Sequence, residues 1–247
     1  MKTLITIIFR SGSKRLPGKN VREFCGSPLF HHTVSQAGLF ICPRADKEDR
    51  LEDFDILLCT DYKELPGPFT LEELPENVRV VDRPETLNGD DVPKLKVIRY
   101  ATKQAENIFG CRYGAVIDLD VTNPLRKKDD IEKAFNLFLK DDRNVVISVT
   151  KARRNPSFNM VVEEVESGWL DTPVDFISKD DPVYDLNAAI YIYPRTYLDL
   201  NFDTPINPYA NLYLMEDWQA FDIDTETDWE IAEYLYQLHI EDVLIEL

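Results

Sequence analysis

The feature that most constrains the fold is a series of apolar runs, rich in β-branched residues, that alternate with helical patterns. The runs stand at 3–9, 54–60, 77–84, 113–122 and 144–150. Most of them do not alternate apolar with polar residues, which predicts strands covered on both faces. Helical patterns occur at 27–40, 92–109 and 129–141. Together they predict a three-layer α/β fold, with a mainly parallel mixed sheet and helices on both faces.

The pattern changes after the fifth predicted strand. Residues 158–173 predict a β-hairpin, and 188–194 and 218–224 predict two further strands. We find no linker long enough to separate two domains. We therefore expect a single domain over residues 1–247, with a β-rich insertion at about 150–185.

A closing helix is predicted over residues 225–239. Thr225 is a suitable N-cap residue, and Asp228 three positions later completes a motif close to a capping box. The two residues together mark the start of this helix.

Charge and cysteine content limit the partners. Asp and Glu number 45 against 28 Lys and Arg, for a net charge of −17. Nucleic acid binding needs a broad basic surface, so this balance speaks against it. Cys25, Cys42, Cys59 and Cys111 form no C-x-x-C pair, which indicates free thiols in a reducing compartment. The apolar run before Arg10 is too short for a signal peptide or membrane span, so we expect a cytoplasmic protein with no membrane partner.

The segment FRSGSKRLPGKN, residues 9–20, concentrates positive charge directly after the first strand. Its cations are Arg10, Lys14, Arg15 and Lys19. Ser11, Gly12 and Ser13 are small enough for backbone N–H groups to approach an anion, and the cations suit phosphate oxygens. The spacing excludes a Walker A loop, since five residues separate Gly12 from Gly18. On composition alone, a phosphate site and a solvated basic loop both stay open.

Two pairs of aspartates follow predicted strands. Asp118 and Asp120 stand two residues apart, as do Asp222 and Asp224. Carboxylates at this spacing on a strand point to one face, and ligands of such sheets bind at the carboxyl ends of the strands. The pairs could therefore share a hard cation such as Mg²⁺. The alternative is that they cap the following helices, which suits Asp224 well.

A third polar segment, residues 81–94, lies between the third strand and its helix. Its polar or small residues are Arg83, Asn88, Gly89, Asp90 and Lys94. A ligand-binding loop explains them, and so does a turn followed by an acidic cap. Both interpretations stay open.

These segments together resemble the CMP-sialic acid synthetases, also called acylneuraminate cytidylyltransferases, with the CMP-Kdo synthetases as more distant relatives. The family opens with R-x-G-S-K-x-x-P-x-K-N and then G-x-P-L, which residues 10–20 and 26–29 match. LDVTNPLR at 119–126 and FDIDTETDWEIAE at 221–233 follow in the order of the family. The resemblance covers the whole chain and implies a Rossmann-like nucleotide-diphospho-sugar transferase fold.

The resemblance implies a role for each residue of the motifs. The residues implied to bind CTP are Arg10, Ser11, Gly12, Ser13, Lys14, Lys19, Asn20, Arg83 and Asp90. Arg15 matches no fixed position of the pattern, and we interpret it as solvated. The resemblance implies that Arg10, Lys19 and Asp222 are the catalytic residues. Asp222 and Asp224 are implied to bind Mg²⁺, with Asp120 as an alternative ligand.

The sugar half departs from the family pattern. Asp120, Asn187 and Asn159 are the candidates to contact the sugar acid, and Asp120 stands where the family has a glutamine. The arginine that holds the sugar carboxylate in the family has no match. Lys179 is one candidate replacement, and Arg153, Arg154 and Asn159 are others.

The resemblance implies an enzyme that transfers CMP from CTP to the anomeric hydroxyl of a nine-carbon sugar acid and releases pyrophosphate. Sialic, legionaminic and pseudaminic acids are all candidate acceptors. The resemblance also implies a homodimer, with the insertion at about 150–185 crossing to the partner. The alternatives are a CMP-Kdo synthetase or another sugar-1-phosphate nucleotidyltransferase and, in another class, an inactive sugar-nucleotide-binding protein.

Overall fold

The computed structural model describes residues 1–42, 53–66, 75–163, 170–171, 178 and 180–240. Seven strands form its main sheet: β1 (Thr3–Ile8), β4 (Phe54–Thr60), β5 (Val78–Asp82), β6 (Ala115–Leu119), β7 (Val146–Lys151), β10 (Tyr184–Pro194) and β11 (Asn211–Leu214). Four short strands form two small ladders: β2 (Glu23–Phe24), β3 (Ser27–Pro28), β8 (Val162–Glu163) and β9 (Leu170–Asp171). The α-helices are α1 (Leu29–Ile41), α2 (Lys94–Phe109), α3 (Lys128–Lys140), α4 (Arg195–Leu198) and α5 (Glu226–His239).

The main sheet is mixed and mostly parallel. Its strand order is β11-β7-β10-β6-β1-β4-β5. β1, β4, β5 and β6 run parallel to one another, and β11 runs parallel to β7. β10 is antiparallel to both of its neighbours, β6 and β7. The predicted α/β class is therefore confirmed.

Helices cover both faces of the sheet, because alternate residues of each strand contribute to separate cores. Ile5 and Ile7 of β1 pack with α1, α3 and α5 on one face. Leu4 and Ile8 of the same strand pack with α2 on the other face. All six residues of β1 and all seven of β4 are buried, as the non-alternating apolar runs predict.

The strand predicted at 218–224 is wrong. Asp217–Ala220 is a 3₁₀ helix, and the residues after it continue without joining the sheet. A capping box between Glu216 and Gln219 stabilises this turn. Gln219 is buried and donates to the Leu125 carbonyl oxygen at 3.0 Å, so tertiary contacts hold the apolar residues here without strand pairing.

The sequence pattern also misses one strand. β11 is four residues long and lies at the edge of the sheet beside β7. Its side chains are half-buried or exposed, so it carries none of the continuous apolar signal of the inner strands. Short edge strands of this kind are the hardest to detect from periodicity.

The start of the closing helix agrees with the sequence. Thr225 Oγ1 accepts a hydrogen bond from the Asp228 N–H, and the Asp228 carboxylate accepts one from the Thr225 N–H at 2.7 Å. This is the reciprocal bonding of a capping box. The box was correctly predicted, and α5 begins directly after Thr225.

Part of the predicted insertion is described. β8 and β9 pair antiparallel, with Val162 opposite Asp171, as the hairpin prediction requires. Residues 164–169, 172–177 and Lys179 lie outside the described residues. In the part of the chain that the structure covers, no helix is both long and apolar enough to cross a bilayer.

Candidate active site

The parallel strands β6, β1, β4 and β5 all end at one edge of the sheet. The loops after β1, β5 and β6, together with the segment before α5, enclose a cavity of about 530 Å³ at this edge. The charged and polar residues of its wall are Arg10, Ser13, Lys14, Arg15, Lys19, Asn20, Arg83, Asp90, Lys94, Asp120, Thr122 and Asp224. A volume of this size is typical of small-molecule sites, and this edge is where such sheets bind ligands. The structure thus brings together the three polar segments that stood apart in the sequence.

The loop after β1 is held by its own side chains and by the loop after β4. The Asn20 side-chain amide donates to the Arg10 carbonyl oxygen at 2.8 Å, which ties the two ends of the loop together. The backbone N–H and the hydroxyl of Ser11 donate to Asp61 at 2.7 and 2.8 Å. Gly18, at φ 70°, allows the turn into the 3₁₀ helix Lys19–Val21. Asp61 therefore organises the loop, a role that sequence reasoning missed.

Two cations of this loop contact the same carboxylate. Arg10 donates to Asp90 at 2.6 Å, and the Lys14 ammonium lies 2.5 Å from the other oxygen of Asp90. Arg10 also donates to the Asn88 carbonyl oxygen. The hydrogen bonds from Lys14 and Arg10 lower the pKa of Asp90 below its ordinary value. Lys14 is 82 % exposed and Asp90 44 % exposed, so water competes for this cluster.

The two remaining cations contact Asp224. Lys19 is buried, lies 3.0 Å from Asp224 Oδ1 and also donates to the Ile223 carbonyl oxygen. Arg15 lies 2.5 Å from Asp224 Oδ2. The Arg15 side chain is 68 % exposed, which agrees with its interpretation as solvated, and Arg15 also lines the cavity.

The end of β6 carries a second, more buried ionic cluster. The Lys94 ammonium lies 2.7 Å from Asp118 Oδ2 and donates to Asp120 Oδ2 at 2.6 Å. Asp118 also accepts from the Thr6 hydroxyl, and Asp120 Oδ1 accepts from the Thr122 N–H and hydroxyl at 3.0 and 2.9 Å. Both aspartates therefore reach one cation, as their spacing of two residues along the strand predicts.

The electrostatics of this cluster differ from one member to the next. Burial raises the pKa of Asp118, whose side chain is fully buried, and outweighs the opposing effect of Lys94. Burial also opposes ionisation of Asp120, but Lys94 and the hydrogen bonds from Thr122 hold its pKa at about 2. Burial works to lower the pKa of Lys94, and the two carboxylates outweigh it and raise the pKa above its ordinary value.

Lys94 was named in the third polar segment of the sequence, but no specific role was assigned to it. It is the first residue of α2, where the positive end of the helix dipole disfavours a cation. A lysine at that position has to be stabilised by other groups, and here Asp118 and Asp120 do so. That mismatch with the helix dipole is the signal that could have found it.

Asp222 lies beside both clusters. The N–H of Ile223 donates to the Thr122 carbonyl oxygen at 2.9 Å, which brings this segment to the end of β6. The Asp222 side chain is open to solvent on one side, but the protein around it desolvates the carboxylate. This desolvation, with the charges of Asp120 and Asp224, raises the pKa of Asp222 to about 6. The two acidic pairs therefore meet, although the second pair follows a 3₁₀ helix and not a strand.

Arg83 lies in the cavity wall with its guanidinium donating to the Leu87 carbonyl oxygen at 3.0 and 2.5 Å. Burial lowers its pKa. Ser13 and Asn20 also line the cavity, whereas the hydroxyl of Ser11 is turned toward Asp61. The backbone at Gly12 borders open space, since apart from its chain neighbours no atom lies within 4 Å of the point where a side chain would begin.

Two predicted sugar contacts lie away from the cavity wall. Asn187 is only 2 % exposed, and its Oδ1 accepts from the Ser148 hydroxyl at 2.7 Å. Asn159 Oδ1 accepts from the Asn155 N–H at 2.6 Å in the insertion. The structure thus does not bring Asn187 or Asn159 next to the residues predicted to bind CTP, and their roles stay predictions.

Among the candidate replacements for the missing arginine, the described residues Arg153 and Arg154 do not line the cavity. Arg153 lies over the Phe221 ring, with its guanidinium carbon 5.9 Å from the ring centroid, in a separate groove. Arg154 is exposed. Lys179 lies outside the described residues. The group that binds a sugar carboxylate therefore stays an open prediction.

Comparison with known proteins places this geometry in context. Residues 4–246 match the model of the family described as Cytidylyltransferase. The chain is 33 % identical over 236 residues to Post-translational flagellin modification protein B of Campylobacter coli, covering 94 % of each chain. It is 32 % identical over 237 residues to CMP-N,N'-diacetyllegionaminic acid synthase of Campylobacter jejuni, covering 95 % of each.

The fold is similar to that of a solved CMP:2-keto-3-deoxy-manno-octonic acid synthetase complexed with CTP. The TM-score is 0.64 with 15 % sequence identity, over 97 % of this chain and 100 % of the other. At this identity the likeness concerns the fold alone. The Rossmann-like architecture that the family resemblance implies is confirmed.

Proposed function

The chain belongs to the cytidylyltransferase family, and we propose that it transfers CMP from CTP to the anomeric hydroxyl of a nonulosonic sugar acid. The observation that carries this proposal is the convergence of Arg10, Lys14 and Lys19 on one cavity at the carboxyl ends of parallel strands. The Campylobacter jejuni relative is named a CMP-N,N'-diacetyllegionaminic acid synthase, which makes an acid of the legionaminic type the first acceptor to test.

The nucleotide half of the proposal follows from the ion pairs of the loop after β1. Asp90 holds Arg10 and Lys14, and Asp224 holds Lys19, so carboxylate oxygens take positions that suit phosphate oxygens. A triphosphate offers these cations more charge and more acceptor atoms than one carboxylate does. We propose that CTP binds through these three cations, with the backbone of the loop beside Gly12, and that Arg83 lies against the cytidine.

Mg²⁺ is part of the proposal. Asp222 and Asp224 offer hard oxygen donors, and the raised pKa of Asp222 reflects desolvation together with the repulsion of neighbouring carboxylates, which a cation would relieve. The described residues contain no group of three or more His, Cys, Asp or Glu side chains arranged to hold a metal. Mg²⁺ commonly takes one or two carboxylates and fills its other positions with phosphate and water, so the residues present fit it. When bound, it would neutralise charge on the reacting phosphate.

The residues of the chain have distinct parts in the proposed step. The oxygen of the anomeric hydroxyl attacks the α-phosphorus, and the bond from that phosphorus to the bridging oxygen of the β-phosphate breaks. Pyrophosphate leaves with the electron pair of that bond. Arg10 and Lys19 stabilise the charge on the phosphate oxygens, and Asp222 accepts the proton of the hydroxyl.

We also propose a homodimer. Apolar side chains are exposed on the insertion, β10 and β11: Phe158, Met160, Val161, Val162, Tyr184, Leu186, Leu212 and Leu214. Leu186 and Leu214 pair with Val149 from its two sides, so they lie on one face of the sheet. A patch of this kind favours association, and a two-fold dimer is the commonest form. Sedimentation velocity at micromolar concentration should give a single dimeric species.

The cytoplasm is the proposed compartment. In the described part of the chain none of the four cysteines, Cys25, Cys42, Cys59 and Cys111, forms a disulfide bond. Free thiols are typical of reducing compartments. Fractionation of cells that express the protein should recover it with cytoplasmic markers.

The proposed function is tested by pyrophosphate release from the purified protein with Mg²⁺. Each of the four ribonucleoside triphosphates is combined with N,N'-diacetyllegionaminic, pseudaminic, N-acetylneuraminic or Kdo acid. We expect release only with CTP, and with an acid of the legionaminic type ahead of the others. Activity with ATP or UTP but not CTP would overturn the assignment.

Variants separate an active enzyme from a binding protein. Asp222→Asn should abolish release, while Lys96→Gln, at an exposed position of α2, should keep the wild-type rate. A wild-type protein that binds CTP but releases no pyrophosphate with any acid would favour the inactive sugar-nucleotide-binding alternative.

A further inference from the structure

Lys94 occupies an unusual place in the cavity wall. Its ammonium contacts two carboxylates, Asp118 at 2.7 Å and Asp120 at 2.6 Å, while 33 % of its side chain is exposed. An ammonium group has three N–H donors. Within the described part of the chain one of them is donated to Asp120, and the ammonium also forms an ion pair with Asp118, which leaves at least one donor for a molecule in the cavity.

Asp120 has a complementary capacity. Its Oδ2 accepts from Lys94, and its Oδ1 accepts from the N–H and the hydroxyl of Thr122. An ionised carboxylate offers about four acceptor positions. Three are filled by described residues, and Asp120 lines the cavity, so one acceptor position is left beside the free donor of Lys94.

We infer that Lys94 and Asp120 bind a hydroxyl group of the substrate as a matched donor and acceptor, and that Lys94 thereby keeps Asp120 out of metal coordination. A hydroxyl both donates and accepts, so it suits the two free positions together. This inference rests on the proposed function, since it concerns the same cavity.

The charges of Lys94, Asp118 and Asp120 argue against an anion or a metal ion as the ligand at this place in the cavity. Asp118 and Asp120 both contact Lys94 and compensate its charge, so a phosphate or carboxylate group would gain little from it. The Lys94 ammonium already stands between the two carboxylates, where a metal ion would have to lie. Asp222 has no ion pair with any residue that the structure describes, which leaves it available to a metal.

Two substrate groups share the required chemistry: a ribose hydroxyl of CTP and a hydroxyl of the sugar acid. Calorimetric titrations distinguish them. CTP, 2'-deoxy-CTP and 3'-deoxy-CTP are titrated into the wild type and into Lys94→Gln, Lys94→Arg and Asp120→Asn, and the sugar acid is titrated in the presence of a non-hydrolysable CTP analogue. Lys96→Gln is the matched control.

We expect Lys94→Gln and Asp120→Asn each to weaken binding of one substrate by about 10-fold or more, the loss typical of a charge-assisted hydrogen bond. If the bound group is a ribose hydroxyl, the wild type should bind CTP more tightly than one of the two deoxy nucleotides, and the variants should bind both with similar affinity. For a sugar hydroxyl, the nucleotide affinities stay unchanged and only the acid binds less well. In steady-state kinetics the variants should raise the KM of that same substrate and should change kcat less.

Lys94→Arg keeps the charge that the buried Asp118 needs, so it tests recognition even where Lys94→Gln lowers the melting temperature. Its planar guanidinium cannot reproduce the geometry of the ammonium, and it should weaken the same substrate. Folded Lys94 variants with wild-type affinity for every ligand would overturn the inference.

Metal coordination is measured separately, by electron paramagnetic resonance of Mn²⁺ with CTP present. Mn²⁺ affinity should stay within about twofold of wild type in Asp120→Asn and be lost in Asp222→Asn. A loss of about tenfold in Asp120→Asn would make Asp120 a metal ligand and overturn the inference. A wild type that shows no turnover would contradict the proposed function alone, because these binding measurements need none.

Discussion

The cavity contains two clusters of lysine–aspartate ion pairs, one exposed to solvent and the other largely buried. In the loop after β1, Lys14 and Asp90 are both exposed to solvent. At the end of β6, Lys94 holds Asp118, whose side chain has no exposed surface. Exposed pairs gain little over their separate hydration, so they exchange partners readily, whereas a buried charge that loses its partner is costly. The first cluster is suited to releasing its cations to a ligand and the second to holding its shape.

The largest expected effect tests the buried cluster. Lys94→Met leaves the buried Asp118 without its cation, and removing one partner of a buried pair typically costs about 3–5 kcal/mol. We expect urea unfolding to show a loss of stability in this range. The matched control is Lys14→Met, which removes the exposed partner of Asp90 and should leave the midpoint near that of wild type. Equal losses in both variants would remove the distinction between the clusters.

The second effect tests whether a loop cation acts on the reaction. Lys19→Met should lower kcat/KM by about 100-fold, the loss typical of one preorganised donor to a developing oxyanion. The measurement is pyrophosphate release over a range of CTP concentrations. Arg22→Met is the control, since Arg22 pairs with Glu226 on the surface and lies outside the cavity wall. A Lys19 variant no weaker than the Arg22 variant would contradict the assignment of this loop.

The third effect tests how a buried titratable group, His31, makes the stability of the protein depend on pH. Burial, with a contribution from His32, lowers the pKa of His31. The unfolded chain therefore binds this proton more readily, so stability falls as the pH drops below about 6.5, by about 1 kcal/mol per pH unit until the lowered pKa is reached. His31→Gln should make the midpoint of urea unfolding less dependent on pH between about pH 7.5 and 5.5. A His31→Gln variant that keeps the wild-type pH dependence would contradict this prediction.

The smallest effect tests whether Asp90 competes with the nucleotide. Asp90→Asn removes the charge that holds Arg10 and Lys14. If the exposed pairs exchange for phosphate, this variant should bind CTP as well as wild type or a few-fold more tightly, by calorimetry at low salt. Weaker binding would show that Asp90 itself supports the nucleotide, as the resemblance implies.

Much of the fold could be predicted because burial imposes a period on the sequence. β1 and β4 are apolar throughout since helices cover both faces, and Thr225 with Asp228 marks the start of α5 through local hydrogen bonds. β11 could not be predicted, because an edge strand is only partly covered. The 218–224 segment has apolar residues for another reason, since they contact the domain from a 3₁₀ helix and the residues after it.

In the candidate site too, some features could be predicted from the sequence and others could not. The residue types in the loops after β1 and β6 left an anion-binding loop beside acidic side chains as one of two open interpretations, and the family resemblance favoured it. The partners of those side chains were not predictable, because each ion pair joins residues far apart in the chain, such as Lys19 with Asp224. Arg15 illustrates this well, since its ion pair with Asp224 depends on how α5 and the loop pack together.

The sequence by itself determined the order of the inner strands and the longer helices, the cationic loop and the acidic residues, because hydrophobic period and local motifs act over a few residues. Only the tertiary structure decided that Lys94 joins Asp118 to Asp120, that Asp61 anchors Ser11 and that Asn187 is buried away from the cavity. These contacts depend on which strands become neighbours and how their ends align. That alignment is set by the packing of the whole sheet and is not encoded in any one segment.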